Sequence, residues 1–237
     1  MSKTTKAFAI LGVVAGLGVA ALPFNAMAAT TPLNGDNDNP VTDQVTVKAT
    51  LKDYISIELA AGDKGTFDET AATDITAGDP ATVVAHAHTL DLGELVNGGA
   101  VVEGNLLVNV KTNNAKGYKL SIKAAGTNLV GETDSNNTIA AGVPAVGSSL
   151  WSFKAEAGGT GGAYDDTANY KLVSAYTNYS ANIPTTNEKI ASYGKATNAD
   201  GLNTKITFGV SADASQAADE YAQTVTFTAA TDATLAF

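Results

Sequence analysis

Apolar and polar residues alternate with a period of two along most of this chain, and that pattern predicts β-strands. Val45, Val47, Ala49 and Leu51 share one parity, with Thr46, Lys48 and Thr50 between them. Ile55, Ile57 and Leu59 alternate in the same way with Tyr54, Ser56 and Glu58. The pattern recurs at Leu106, Val108 and Val110; at Tyr118, Leu120 and Ile122; at Trp151 and Phe153; at Ile206, Phe208 and Val210; and at Val225 and Phe227. Successive side chains of a strand point to opposite faces, so most of these segments have an apolar face and a face of Lys, Ser or Thr. Strands with one wet face belong to antiparallel sheets, and two such sheets must pack together to bury their dry faces. No segment holds a helical period over three turns; residues 71–81 and 211–220 have room for one helical turn each. The expected fold is all-β, an antiparallel β-sandwich of Ig-like or jelly-roll-like kind. Leu120, Ile122, Trp151, Phe153, Phe208, Val225 and Phe227 should line its core.

Turn chemistry divides the strands. Asn97-Gly98-Gly99 lies between two apolar stretches and predicts a hairpin. Asn113-Asn114-Ala115-Lys116-Gly117 joins two of the clearest strands. Residues 158–202 break the alternation: a run of glycines is followed by Tyr164, Tyr170, Tyr176, Tyr179 and Tyr193 among Asn, Ser and Thr. This region is expected to be a long decorated loop of a single sandwich domain spanning 43–237, with no second domain.

The N-terminus changes the picture. Lys3 and Lys6 precede an uncharged apolar run from Ala7 to Leu22, which Pro23 ends, and Ala26-Met27-Ala28 places small residues where a signal peptidase reads them. Residues 1–28 are therefore expected to be a bacterial secretory signal peptide cleaved before Ala29. Residues 29–42, rich in Asn, Asp and Pro, are expected to form a flexible N-terminal arm. No other apolar run is long enough for a membrane helix, no Cys follows the signal to carry a lipid, and the ending lacks a wall-sorting motif. The expected location is extracellular and associated with the cell surface.

Composition then narrows the chemistry. The mature chain would carry twelve basic and 24 acidic residues, and every basic residue is Lys. An acidic chain without Arg argues against nucleic-acid partners, since each phosphate contact needs local positive charge. The same average charge disfavours anionic polymers. The chain has no Cys, which excludes thiol catalysis, thiolate metal sites and disulfides.

Candidate chemistry is sparse. His86 and His88 share a strand face, a spacing that metal sites use, but no third ligand is assigned and their parity is that of Val84, Leu90 and Leu92. Gly142 to Ser149 has the glycine spacing of a phosphate loop, with Ser148 where the loop needs Lys, and reads as a surface turn. Asp36, Asp38, Asp165 and Asp166 offer loop carboxylates, the first pair without the downstream bidentate Glu of an EF-hand, and read as solvated acidic turns. No nucleophile elbow or metalloprotease motif occurs. No catalytic residue, metal or cofactor is expected. The Tyr-rich stretch points instead to recognition, because Tyr with Ser, Asn and Gly builds adaptable contact surfaces. Tyr170, Tyr176 and Tyr179 are the candidate binding residues. The alternative is that these tyrosines pack the loop onto its own sandwich.

Leu90 to Ala124, with its LDLG and TNNAKGYKLSI segments, then Leu150-Trp151-Ser152-Phe153, then the ending QAADEYAQTVTFTA, resemble exported bacterial surface β-sandwich proteins of the WxL-like wall-associated type. The Trp-x-Leu motifs are missing: Trp151 lies in Trp-Ser-Phe, and Phe227 stands where the pattern has Trp. The resemblance implies a sandwich fold and a noncatalytic surface role, adhesive or structural, with peptidoglycan contact carried over to no residue. Its expected partner is a cell-wall or surface glycan, or a surface protein. Two other readings stay open: a pilin-like or surface-lattice subunit that self-assembles by β-strand addition, and a secreted carbohydrate-active enzyme on a sandwich scaffold.

Overall fold

The computed structural model describes residues 54–69, 88–159 and 166–231. The expected strand at 45–51, His86, Asp36, Asp38, Asp165, Tyr164, the signal segment and the arm lie outside the described residues. Within them the chain forms strands and one 3-10 turn at Ser174–Tyr176.

The alternating segments fold as strands. They become β1 (Ile55–Ala61), β4 (Val102–Thr112), β5 (Tyr118–Ala124), β8 (Leu150–Ala157), β11 (Leu202–Ser211) and β13 (Val225–Thr231). Shorter elements complete the set: β2 (Thr66–Glu69), β3 (His88–Asp91), β6 (Leu129–Gly131), β7 (Thr138–Ala141), β9 (Tyr170–Leu172), β10 (Glu188–Tyr193) and β12 (Tyr221–Ala222). One sheet has seven strands in the order β1-β4-β11-β8-β7-β6-β12, and the other has four in the order β13-β5-β10-β9. β2 and β3 pair separately. Every pairing is antiparallel except that of β7 with β8.

The two larger sheets pack as a sandwich around one apolar core. Val108, Val110, Phe153 and Ile206 come from the seven-stranded sheet, and Leu120, Ile122, Ile190 and Tyr193 from the four-stranded one; all are buried. Burying such a side chain contributes about 1.5–3 kcal/mol. Leu120, Ile122, Trp151, Phe153 and Phe208 are buried as the alternation predicts, and Val225 and Phe227 pack against the core half-buried, as an edge strand must. Trp151 satisfies its indole by donating to the Thr127 carbonyl at 2.9 Å.

Two sequence expectations change, and a third, the Asn113–Gly117 connection between two clear strands, holds. Asn97-Gly98-Gly99 does turn the chain, with Gly98 at φ +71° and the Gly99 amide donating to the Val96 carbonyl at 2.8 Å. It closes no hairpin, because β3 pairs with β2 while β4 pairs with β1 and β11. The Asn113–Gly117 segment carries the chain from one sheet to the other, and Gly117 there has φ +73°. Residues 158–202 are more than a loop: β9 and β10 lie within them, and β10 is an inner strand of the four-stranded sheet. A bulge between Lys189 and Ala191 explains why alternation failed there. It leaves Ile190 and Ala191 both buried, which breaks the period of two.

Candidate functional site

The Tyr-rich stretch was the most promising region for recognition, and the structure assigns each tyrosine a place. Tyr170 begins β9 and is buried; its hydroxyl lies 3.1 Å from Thr204 Oγ1 of the opposite sheet. Tyr176 ends the 3-10 turn and stacks on Phe153, with ring centroids 5.1 Å apart and planes 16° apart. Desolvation, together with Glu188 nearby, holds its phenol above the ordinary range. Tyr170 and Tyr176 are therefore core residues, and the three tyrosines present no common exposed surface. The expectation that they form a binding cluster is replaced by the packing alternative for these two.

Tyr179 goes the other way. β8 pairs with β7 only at Leu150 and Trp151, so its edge is open beyond that point. The segment after the 3-10 turn crosses this edge. The Ser180 amide donates to the Phe153 carbonyl at 3.2 Å, and Ser152 Oγ donates to the Ser180 carbonyl at 2.5 Å. Tyr176 lies inside the crossing point and Tyr179 outside it, against the outer face of the seven-stranded sheet. Gly209 makes room: a Cβ there would stand 2.6 Å from the Tyr179 hydroxyl oxygen. The stretch thus seals a strand edge that would otherwise offer unpaired backbone groups to another chain.

On that outer face Tyr179 joins a charged group centred on Glu103. Its hydroxyl donates to Glu103 Oε1 at 2.6 Å, and Lys154 Nζ lies 5.1 Å from its ring centroid and 3.8 Å from Glu103 Oε1. Lys64 donates to Glu103 Oε2, and Lys205 pairs with Asp63 at 2.8 Å. The Lys64 ammonium and then the Tyr179 hydroxyl hold the Glu103 carboxyl below the usual range. Burial, followed by the Glu103 charge, pushes the Tyr179 phenol well up. Lys205 and then Asn105 draw Asp63 down to about 2. A carboxylate kept ionised and a phenol kept neutral make a stable charged network. They do not make a general acid and base near neutral pH, where catalysis needs them.

The other candidates among the described residues also resolve into structural parts. His88 lies in β3 with its ring 5.1 Å from that of Phe67, and among the described residues no group of three His, Asp or Glu could hold a metal ion. Residues 142–149 form a turn closed by the Ser148 hydroxyl, which donates to the Ala145 carbonyl at 2.8 Å. Asp166 pairs with Lys195 at 2.6 Å. Sequence reasoning missed Asp219, which accepts from the Thr133 and Asp134 amides at 3.0 and 3.1 Å and from Asn137 Nδ2 at 3.1 Å. Those donors hold its carboxyl well below the usual range and clip the β6–β7 loop to the chain before β12. Ile122, Trp151, Ile183 and Phe208 help line an apolar recess between the sheets that has no room for a water-sized guest, and so none for a small-molecule ligand.

Comparison with known proteins matched no protein-family model and no curated protein.

Proposed function

We propose that this chain is a noncatalytic exported protein of a bacterial cell surface, with an adhesive or structural role. The observation that carries the reading is the use made of the Tyr-rich stretch and its carboxylate neighbours: they close a strand edge and neutralise an outer face. The polar chemistry that sequence offered is thereby built into a sandwich whose broad outer faces suit contact with large partners. The export pattern at residues 1–28 supports the location, and the all-β sandwich is the fold that the WxL-like resemblance implies. The test is cell fractionation with N-terminal sequencing of the exported protein. It should begin at Ala29 and sediment with isolated cell walls. An intact Met1 on exported protein, or sugar release from a glycan panel, would refute the reading.

A second reading, assembly by β-strand addition, is favoured by β13. Among the described residues this strand pairs only with β5, over seven consecutive residues without a bulge. It carries no charge and no proline, the devices that usually blunt an edge. The other edges are short or charged: β9 has three residues and β12 two, and β1 carries Glu58. If β13 is an assembly edge, Thr228→Lys should abolish concentration-dependent polymers visible on micrographs. Polymers that persist in that variant would remove this reading.

A further inference from the structure

Among the described residues, the outer face of the four-stranded sheet carries a set of lysines from three of its strands. Lys119 and Lys123 alternate with the core residues Leu120 and Ile122, which sets them on the outside of β5. Lys189 stands opposite Ser121, which shares the parity of Lys119 and Lys123 but is buried, its hydroxyl donating to the Thr228 carbonyl. Lys171 stands opposite Ser192, which in turn is opposite Lys119. Among the described residues, the remaining outward strand positions are Ser, Thr or Ala, with no carboxylate and no aromatic ring. Glu188 belongs to the other side, opposite the core residue Ile122 and close enough to Tyr176 to act on its phenol. Lys123, Lys171 and Lys189 make no ion pair among the described residues, in contrast to Lys64, Lys154 and Lys205 on the opposite face.

The register places Lys171, Lys189 and Lys123 on a diagonal. Each step crosses one strand: Lys189 lies three residues along β10 from Ser192, the partner of Lys171, with one residue taken up by the bulge, and Lys123 lies two residues along β5 from Ser121, the partner of Lys189. With strands about 4.8 Å apart and a rise of about 3.4 Å per residue, each step is about 8 Å. That is close to the Debye length of about 8 Å at physiological salt, so the stripe acts as one positive feature while the distant carboxylates are screened from it.

We propose that this face docks a linear polymer with phosphates in its backbone, laid along the diagonal of Lys171, Lys189 and Lys123. An evenly spaced stripe matches a chain of repeated charges better than the irregular charge pattern of a folded protein. Lysine binds phosphate as a point charge, and the neighbouring Ser192, Thr226 and Thr228 hydroxyls add donors. Bases would find nothing to stack on, so the polymer is not a nucleic acid. The surface reading above says where such a polymer would be met. The binding itself is measured on purified protein, so failure of either can be told from failure of the other.

The experiment is titration of the full-length exported protein with long-chain inorganic polyphosphate. Three lysine contacts should weaken binding about 20- to 40-fold between 50 and 200 mM salt. The variant Lys123→Gln, Lys171→Gln, Lys189→Gln should lose at least tenfold in affinity at low salt and lose most of the salt dependence. A control with the same charge change elsewhere, Lys64→Gln, Lys111→Gln, Lys116→Gln, should lose less than threefold. Equal loss in the control, equal binding of oligo(dT), or no binding by the unaltered protein would overturn the proposal. So would salt-dependent self-association removed by the same three substitutions, which would assign the face to a second copy.

Discussion

Lysines stand on both outer faces of the sandwich, but the two faces answer them differently. On the seven-stranded sheet, Lys64 and Lys154 share Glu103, Lys205 holds Asp63, and Tyr179 completes the group from across a strand edge. On the four-stranded sheet, Lys123, Lys171 and Lys189 stand among Ser, Thr and Ala, with no carboxylate on their face among the described residues. The chain as a whole has a formal net charge of −10, so its average says nothing of this second face. What decides local behaviour is which charges the register brings together. The first face is a closed network that stabilises the fold, and the second is a surface with charge to offer.

Breaking the closed face should have the largest effect. Tyr176→Ala removes the ring stacked on Phe153 and the inner support of the edge crossing, at a cost of about 3–5 kcal/mol, read as a lower urea midpoint. Little change would mean that the crossing does not seal the β8 edge. Gly209→Ala pushes a methyl into Tyr179 and should cost about 1–3 kcal/mol. Adding Tyr179→Ala to that variant should recover part of the loss, because the two residues are in contact. Strict additivity would place Tyr179 elsewhere.

The charge network itself contributes less. Glu103 and Asp63 are depressed in the folded state, so their contribution is full above their unfolded values near 4 and is lost as pH falls through the folded ones. Stability should therefore drop between about pH 4 and pH 2. In Glu103→Gln this drop should be shallower, and stability at pH 7 should be lower by about 1 kcal/mol. An unchanged pH profile would show that Glu103 is not the hub. The smallest effect belongs to the open face: Lys123→Gln, Lys171→Gln and Lys189→Gln should each shift stability by less than about 0.5 kcal/mol, because no partner is left behind. A larger loss on thermal melting would reveal a structural role there.

How much of this was legible in the sequence depends on how far each feature reaches along the chain. β1, β4, β5, β8, β11 and β13 are long enough for alternation to show, and so were the core positions Trp151, Phe153 and Phe208. β6, β9 and β12 are two or three residues long, too short for a period to register. In β10 the bulge at Ile190 hides the pattern altogether. The tyrosines were visible as a composition, but burial separates Tyr170 and Tyr176 from Tyr179, and burial is a tertiary property. The lysine diagonal was not legible at all, since its members come from β5, β9 and β10 and meet only through the register.

The difference between the two faces is most directly measured by amine labelling of the native protein at neutral pH, read at each lysine by mass spectrometry. Lys123, Lys171 and Lys189 should acylate ahead of Lys64, Lys154 and Lys205, whose ammonium groups are held by carboxylates. The Glu103 partner raises the Lys64 value, leaving less free amine to react. Equal rates across the two sets, or faster labelling of Lys64, Lys154 and Lys205, would contradict the account.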